Sequence, residues 1–372
     1  MAKTEVKGVA IMSVFRSPHN PIITPKDVIP SRTDFEVVGV FNAGVARFED
    51  PRLIITPSET YLTSISHLLR VAERPINTNP DITLAAIYDV AKEDIVLKKF
   101  SKDDTEVDFS DPRLIITPSE TYLTSISHLR LARSTDGINF DIEQAPALVP
   151  ANDYEIFGLE DPRITLIDGT YYITYVAVSP LGVTTCLAST KDFKSFERLA
   201  VIFCPDNKDV VIFPEKTGGK YYALHRPVSP LFKKHEIWLA QSPDLLCWGN
   251  HRRLMGHRPG LWDDIKVGAS AVPFKIKQGW LVIYHGADKN NRYCLGAVLT
   301  DANQPWKVIA RSQKPILQPQ ADYEIEGFFG NVVFSCGLLC EDEKLRIYYG
   351  VADTAVCFAE LSLQDVLENL NL

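Results

Sequence analysis

Four stretches of this chain repeat one phrase: a turn, an alternating aromatic strand, then a polar or small residue. They run from Ile167 to Ser179, Thr217 to Ser229, Lys277 to Asp288 and Glu341 to Asp353. In Tyr221-Tyr222-Ala223-Leu224-His225-Arg226, as in Leu281-Val282-Ile283-Tyr284-His285, β-branched and aromatic residues follow a glycine turn and no helical stripe is sustained. The turns lie roughly 50 to 65 residues apart, the length of a four-stranded propeller blade. The spacing predicts radial repeats with chemistry at equivalent strand ends. Strand signals recur from Glu36 to Phe358 without a low-complexity linker, so residues 1–372 read as a single all-β domain. Helix enters at the end, where Ser362 to Leu370 reads as a short capped amphipathic helix packed against the outside.

Composition bounds the function classes. With 45% apolar and 23% charged residues the chain can bury a large core. A formal net charge of −8 and the lack of a basic tract argue against nucleic acid or an anionic membrane as partner. No apolar run reaches spanning length and the N-terminus lacks a signal-peptide pattern, so the expected compartment is the cytoplasm. Seven cysteines, an odd number without a C-x-x-C pair, fit that compartment as buried structural thiols. The histidines are scattered and form no metal-binding motif, so no metal site is expected. Exposed strand edges and the terminal helix leave room for a homo-oligomer.

A second repeat is of another kind. Asp50 to Leu68 and Asp111 to Leu129 are identical at all 19 positions. Blades diverge because each packs against different neighbours, so strict identity points to a recent duplication or an error in the sequence. The second copy continues into a strand and turn at Arg130 to Gly137, whereas the first separates Phe41–Phe48 from Leu69–Pro75, which would otherwise form a tight hairpin. Residues 50–68 are therefore the expected intruder, bulging from the hairpin as a long loop.

Candidate chemistry gathers in a few phrases. Gly158-Leu159-Glu160-Asp161-Pro162-Arg163 sets two adjacent carboxylates and a guanidinium before a strand. Neighbours on an extended chain face opposite ways, so one of Glu160 and Asp161 should face the site and the other a structural partner; an Asp-Pro turn with an arginine salt bridge is the purely structural alternative. Asn207-Lys208-Asp209, Phe213-Pro214-Glu215-Lys216 and Leu224-His225-Arg226-Pro227 bring basic groups to strand ends within aromatic text, as an anion or a sugar hydroxyl array requires. Trp262-Asp263-Asp264-Ile265-Lys266 and Tyr284-His285-Gly286 add a lysine and a histidine.

Taken in order, the phrases FNAGVARF, GLEDPRIT, NKDVVIFPEK, YYALHRP, IKVGASAVP, GWLVIYHGAD, GFFGNVVFSCG and YYGVADT resemble glycoside hydrolase family 130, the β-mannoside phosphorylases and mannosidases. The resemblance implies a five-bladed β-propeller with its active site in the central funnel. By position it makes Asp161 the general acid, protonating the glycosidic oxygen through a mannose hydroxyl while inorganic phosphate attacks the opposite face of the anomeric carbon. Inversion of a β-mannoside then yields α-mannose 1-phosphate, with phosphate in place of the base-activated water of an inverting hydrolase. Arg226, Lys266 and His285, with Lys208, resemble the phosphate-binding set; phosphate is a co-substrate and no cofactor is implied. Mannose recognition would fall to Asn42, Arg70 and Asp353, with Glu215 as a sugar-hydroxyl acceptor and Tyr284 as a platform for an apolar sugar face. A hydrolase needs a second carboxylate to activate water, for which Glu215, Asp263 and Asp264 are the candidates. The phrases AERP, YLTSISHLRLARSTDG and YYALHRP most resemble members acting on β-1,2-linked mannobiose and oligomannans. A β-1,2-mannosidase and a non-catalytic glycan-binding propeller are the alternative readings.

Overall fold

The computed structural model describes residues 13–54, 61–229 and 231–372. They form an all-β molecule with two short α-helices, built from successive antiparallel groups. Phe35–Ile54, Tyr61–Pro75 and Ile126–Ser134, with Asp141–Ile142 at the edge, make the first group. Gly158–Ile167, Thr170–Ser179, Gly182–Thr190 and Glu197–Phe203 make the second, joined to the first by a single parallel pairing of Gly158 with Ser127. Asn207–Ile212, Tyr221–Pro227, Ile237–Ser242 and Gly249–Met255 form the third, and Lys266–Ala269, Gly279–Ala287, Tyr293–Thr300 and Val308–Arg311 the fourth. In the last group Val333–Glu341, Lys344–Val351 and Ala355–Ser362 are completed by Val14–Arg16 from the other end of the chain.

The aromatic doublets explain how the groups pack. Successive side chains on a strand face opposite ways, so Tyr348 joins the apolar cluster shared with the first group while Tyr349 joins the one shared with the fourth. Tyr171 and Tyr172 divide in the same way between the clusters on either side of the second group. Among the described residues, five of the apolar clusters each fill the space between consecutive groups, and one of them packs Tyr348, Val356 and Phe358 of the last group against Val40, Leu69 and Val71 of the first. The terminal helix Leu363–Asn369 is capped by Ser362, which accepts from the Asp365 amide, and buries Val366 and Leu367 against the last group. Four of the seven free cysteines are buried; Cys204, Cys247 and Cys340 are exposed.

The first copy of the 19-residue repeat departs from the expected loop. Its Ser64–Leu68 lie in the return strand, paired with Gly44–Phe48 on one side, and Ile65 and Leu68 are buried in the core. Its Ile54 pairs with Tyr61 in the register in which Ile115 pairs with Tyr122 in the second copy. Alternation accounts for this: Ile65, Leu68 and Leu69 supply apolar contacts that continue the strand begun by Val71. The remainder of that copy, residues 55–60, lies outside the described residues. The accommodation is imperfect at His67, which is fully buried between Phe140 and Tyr348 with neither ring nitrogen hydrogen-bonded.

Candidate active site

Three inner strands carry the same irregularity. Ladder register shifts between Phe41 and Gly44, between Glu160 and Arg163, and between Lys208 and Val211. Asn42, Asp161 and Asp209 stand within these shifts with φ of 52°, 50° and 56°. Left-handed backbone is tolerated best, among residues with a side chain, by Asn and Asp, and a bulge re-aims the side chain it carries. All three side chains are buried. A fourth left-handed residue, Asp353 at φ 52°, occupies the tight turn between Lys344–Val351 and Ala355–Ser362.

On one side these bulges assemble a carboxylate cluster. The Asn42 amide donates to Asp161 Oδ1 at 2.7 Å. Arg70 bonds Glu160 and lies 3.7 Å from Asp161 Oδ1, with its guanidinium over the Phe41 ring. Asp353 shares this environment: burial raises its pKa to about 6, with Arg70 opposing and the charges of Asp161 and Glu160 adding to the rise. The bulge corrects the expected division of labour between Glu160 and Asp161. Because register shifts between them and Arg163, the simple alternation fails and both carboxylates meet Arg70.

The other side is basic. Lys208 and Arg226 stand directly opposite one another across the pair of strands, an arrangement of like charges that weakens a sheet unless something anionic lies between them. Lys266 donates to the Tyr293 hydroxyl at 2.6 Å; burial, then the nearby Arg226 charge, lowers its pKa to about 8. His235 belongs to the same neighbourhood, lowered to about 4 by burial and then by Arg226, Lys266 and Lys208. Within this cluster Asp209 Oδ2 lies 2.8 Å from Arg226 Nη1. Arg163 connects the two sides, donating to the Asp161 carbonyl at 3.0 Å while its Nη2 lies 3.4 Å from Asp209 Oδ1.

Sequence-predicted residues thus divide. Asn42, Arg70, Asp161 and Asp353 converge on the carboxylate side, and Lys208, Arg226 and Lys266 on the basic side. His285 adjoins the basic side with its ring nitrogens occupied by Arg226 at 3.1 Å and Ser270 at 3.3 Å. Burial lowers its pKa to about 3, so it is neutral and brings no positive charge. Glu215 is elsewhere: it is exposed, paired with Lys275 at 2.8 Å, and lies past the end of the Asn207–Ile212 strand that carries Asp209. Tyr284 provides no sugar platform. With its neighbour His285 facing the site, alternation turns Tyr284 into the core, where it stacks on Trp262 and donates to Asp263 Oδ2 at 2.9 Å. Asp263 itself is fully buried and held by Arg258 and Arg311, which removes it as a base for water.

Tyr293 and His235 were not named from the motifs, Arg163 was read there only as the guanidinium beside two carboxylates, and Asp209 was quoted without a role. Asp209 sat in the phrase NKDVV, but a bulge leaves no trace in a two-residue period. A sequence signal did exist in Gly268, where a Cβ would fall 2.2 Å from Asp209 Oδ2 and 2.5 Å from His285 Cε1.

Comparison with known proteins places this geometry. Residues 112–372 match a family profile described as beta-1,4-mannooligosaccharide phosphorylase. The chain is 46% identical over 365 residues to a beta-1,2-mannobiose phosphorylase of Listeria innocua serovar 6a, covering 97% of this chain and 99% of the relative. It is 43% identical over 254 residues to a 1,2-beta-oligomannan phosphorylase of Thermoanaerobacter sp., covering 68% and 84%. The solved structure of a Listeria innocua beta-1,2-mannobiose phosphorylase in complex with beta-1,2-mannobiose superposes with a TM-score of 0.90 over 97% of this chain and 99% of that one.

Proposed function

The chain belongs to glycoside hydrolase family 130, and from that premise and the paired acidic and basic sides of its site we propose that it catalyses inverting phosphorolysis of β-1,2-linked mannobiose and oligomannosides. The products are α-mannose 1-phosphate and the shortened mannoside, and the reaction is reversible. The observation that carries this reading is the convergence of Lys208, Arg226 and Lys266 across the site from Asp161. A dianion must be neutralised where attack begins, and charged donors in a water-poor site do this without reorganisation.

Asp161 is the general acid. Asn42 holds its Oδ1 and Arg70 lies beside it, so the carboxyl is oriented before substrate arrives. Its proton passes through a mannose hydroxyl to the glycosidic oxygen as the anomeric C–O bond breaks; a phosphate oxygen bonds the anomeric carbon from the opposite face. Arg70 and Asp353 supply donors and acceptors suited to mannose hydroxyls. Phosphate is the co-substrate, and side chains rather than a cofactor supply its counter-charge. Of the three candidate bases a hydrolase would need, two are removed: Glu215 is exposed on an outer turn and Asp263 is locked by two arginines.

A single five-bladed propeller is the architecture that best accommodates these observations. Its support is the cyclic order of five interfacial cores and the last strand group completed by Val14–Arg16. Asp161→Asn keeps shape and hydrogen-bonding capacity while removing the proton; it is expected to lower phosphorolysis about 10²- to 10⁴-fold with an unchanged melting curve. Turnover of Asp161→Asn at the wild-type rate would remove the assignment.

A further inference from the structure

A phosphate-binding cluster gains nothing in charge from a carboxylate at its centre, yet Asp209 is buried there at 1% exposure, on left-handed backbone, against a glycine whose missing Cβ makes the space. Its contacts are all with groups that handle charge. Oδ2 lies 2.8 Å from Arg226 Nη1 and 3.4 Å from His285 Nε2, and Oδ1 lies 3.4 Å from Arg163 Nη2. Nη1 of Arg226 also meets His285 Nε2 at 3.1 Å. A neutral imidazole accepting there carries its proton on Nδ1, where the Ser270 hydroxyl is the partner. Nη1 thus holds a hydrogen bond to the imidazole and an ion pair with the carboxylate, whose Oδ2 has no hydrogen bond of its own, and the two groups flank that end of the guanidinium. By contrast Arg226 Nε is buried without a hydrogen-bond partner, on a side chain only 6% exposed. A guanidinium gripped at one end presents its remaining edge in a fixed plane, and a fixed fork is what bidentate recognition of a phosphate requires.

We propose, resting on the phosphorolytic reading above, that Asp209 is a positioning residue for inorganic phosphate: it clamps Arg226 at Nη1 so that the Nε edge is held ready for the anion. Arg163 extends the clamp to the acid side, since it joins Asp209 to the Asp161 carbonyl.

The test is calorimetric titration of inorganic phosphate into wild type, Asp209→Asn, Arg226→Lys and the double variant, alongside initial rates with β-1,2-mannobiose. Removing a negative charge from a phosphate site strengthens binding if charge alone matters. The clamp predicts the reverse: Asp209→Asn weakens phosphate binding about ten-fold or more, keeps KM for mannobiose within about three-fold, and adds less than about two-fold in the Arg226→Lys background. Asp209→Glu recovers part of the loss. Phosphate binding by Asp209→Asn as tight as wild type or tighter overturns the proposal, as do penalties that multiply independently in the double variant. If Asp209→Asn does not fold, His285→Phe removes the other acceptor on Nη1 and carries the same expectation. A wild-type protein that binds phosphate, loses it in Asp209→Asn and yet releases no mannose 1-phosphate overturns the proposed reaction while upholding the clamp. A wild type that binds no phosphate overturns the clamp.

Discussion

Individual residues here are placed by backbone exceptions as much as by chemistry. Asn42, Asp161 and Asp209 occupy left-handed conformations that cost on the order of 1–3 kcal/mol each, and each places its side chain in a buried polar contact, Asn42 with Asp161 and Asp209 with Arg226. His67 shows the opposite case, a buried polar group that serves nothing visible. Its folded-state pKa of about 3, set by burial, lies below the ordinary 6.5, so the unfolded chain binds this proton first as pH falls. Stability attributable to neutral His67 is complete above pH 6.5 and is lost between there and pH 3, with a slope of up to about 1.4 kcal/mol per pH unit. His67→Leu is expected to raise the melting temperature at pH 7 by a few degrees, about 1 kcal/mol, and to make the acid limb shallower. Thermal melts between pH 4 and 7 decide this; an unchanged acid limb would show that the group finds a partner. The type of Asn42, Arg70, Asp161 and Arg226 was legible in the motifs, but their direction was not, and Tyr293 and His235 stood in no motif. Alternation assigned Glu160 and Asp161 to opposite faces, and the bulge at that point brought both to Arg70.

At the scale of elements, the strands do two tasks through one period. Tyrosine doublets send one ring into each flanking core, and this part of the fold was readable from the four repeated phrases. The same period explains why Tyr284 is a core residue once His285 faces the site. Less readable was the strand Lys266–Ala269, whose Gly268 lets Asp209 and His285 approach. Gly268→Ala is expected to force those side chains apart, lowering phosphorolysis at least about ten-fold with a stability loss of about 1–3 kcal/mol. Steady-state kinetics and denaturant unfolding measure the two effects, and a fully active variant would contradict the packing described. The duplicated segment was legible as a repeat, but its structural outcome was not, because a strand accepts any register that keeps apolar residues inward. Ile65 and Leu68 satisfy that demand.

For the whole molecule, one pairing brings together strands far apart in the sequence. Val14–Arg16 pairs with Ala355–Ser362, and Arg16 reaches the fully buried Glu324 at 2.9 Å. Glu324 keeps bonds from Tyr349 and the amides of Gln320 and Ala321, so Arg16→Ala is expected to cost about 2–3 kcal/mol rather than to unfold the protein. Chemical denaturation should show a lower midpoint in one cooperative transition; an unchanged midpoint would mean that the Val14–Arg16 strand contributes little to stability. Local text could not reveal this link, since its partners lie at opposite ends of the sequence. Phosphorolysis needs both halves of the site in one reaction, and ¹H and ³¹P NMR of β-1,2-mannobiose with the wild-type enzyme, with and without inorganic phosphate, tests this. The expected products are α-mannose 1-phosphate and mannose in equal amounts when phosphate is present, with no cleavage when it is absent. Free mannose as the sole product, formed equally fast without phosphate, would contradict it.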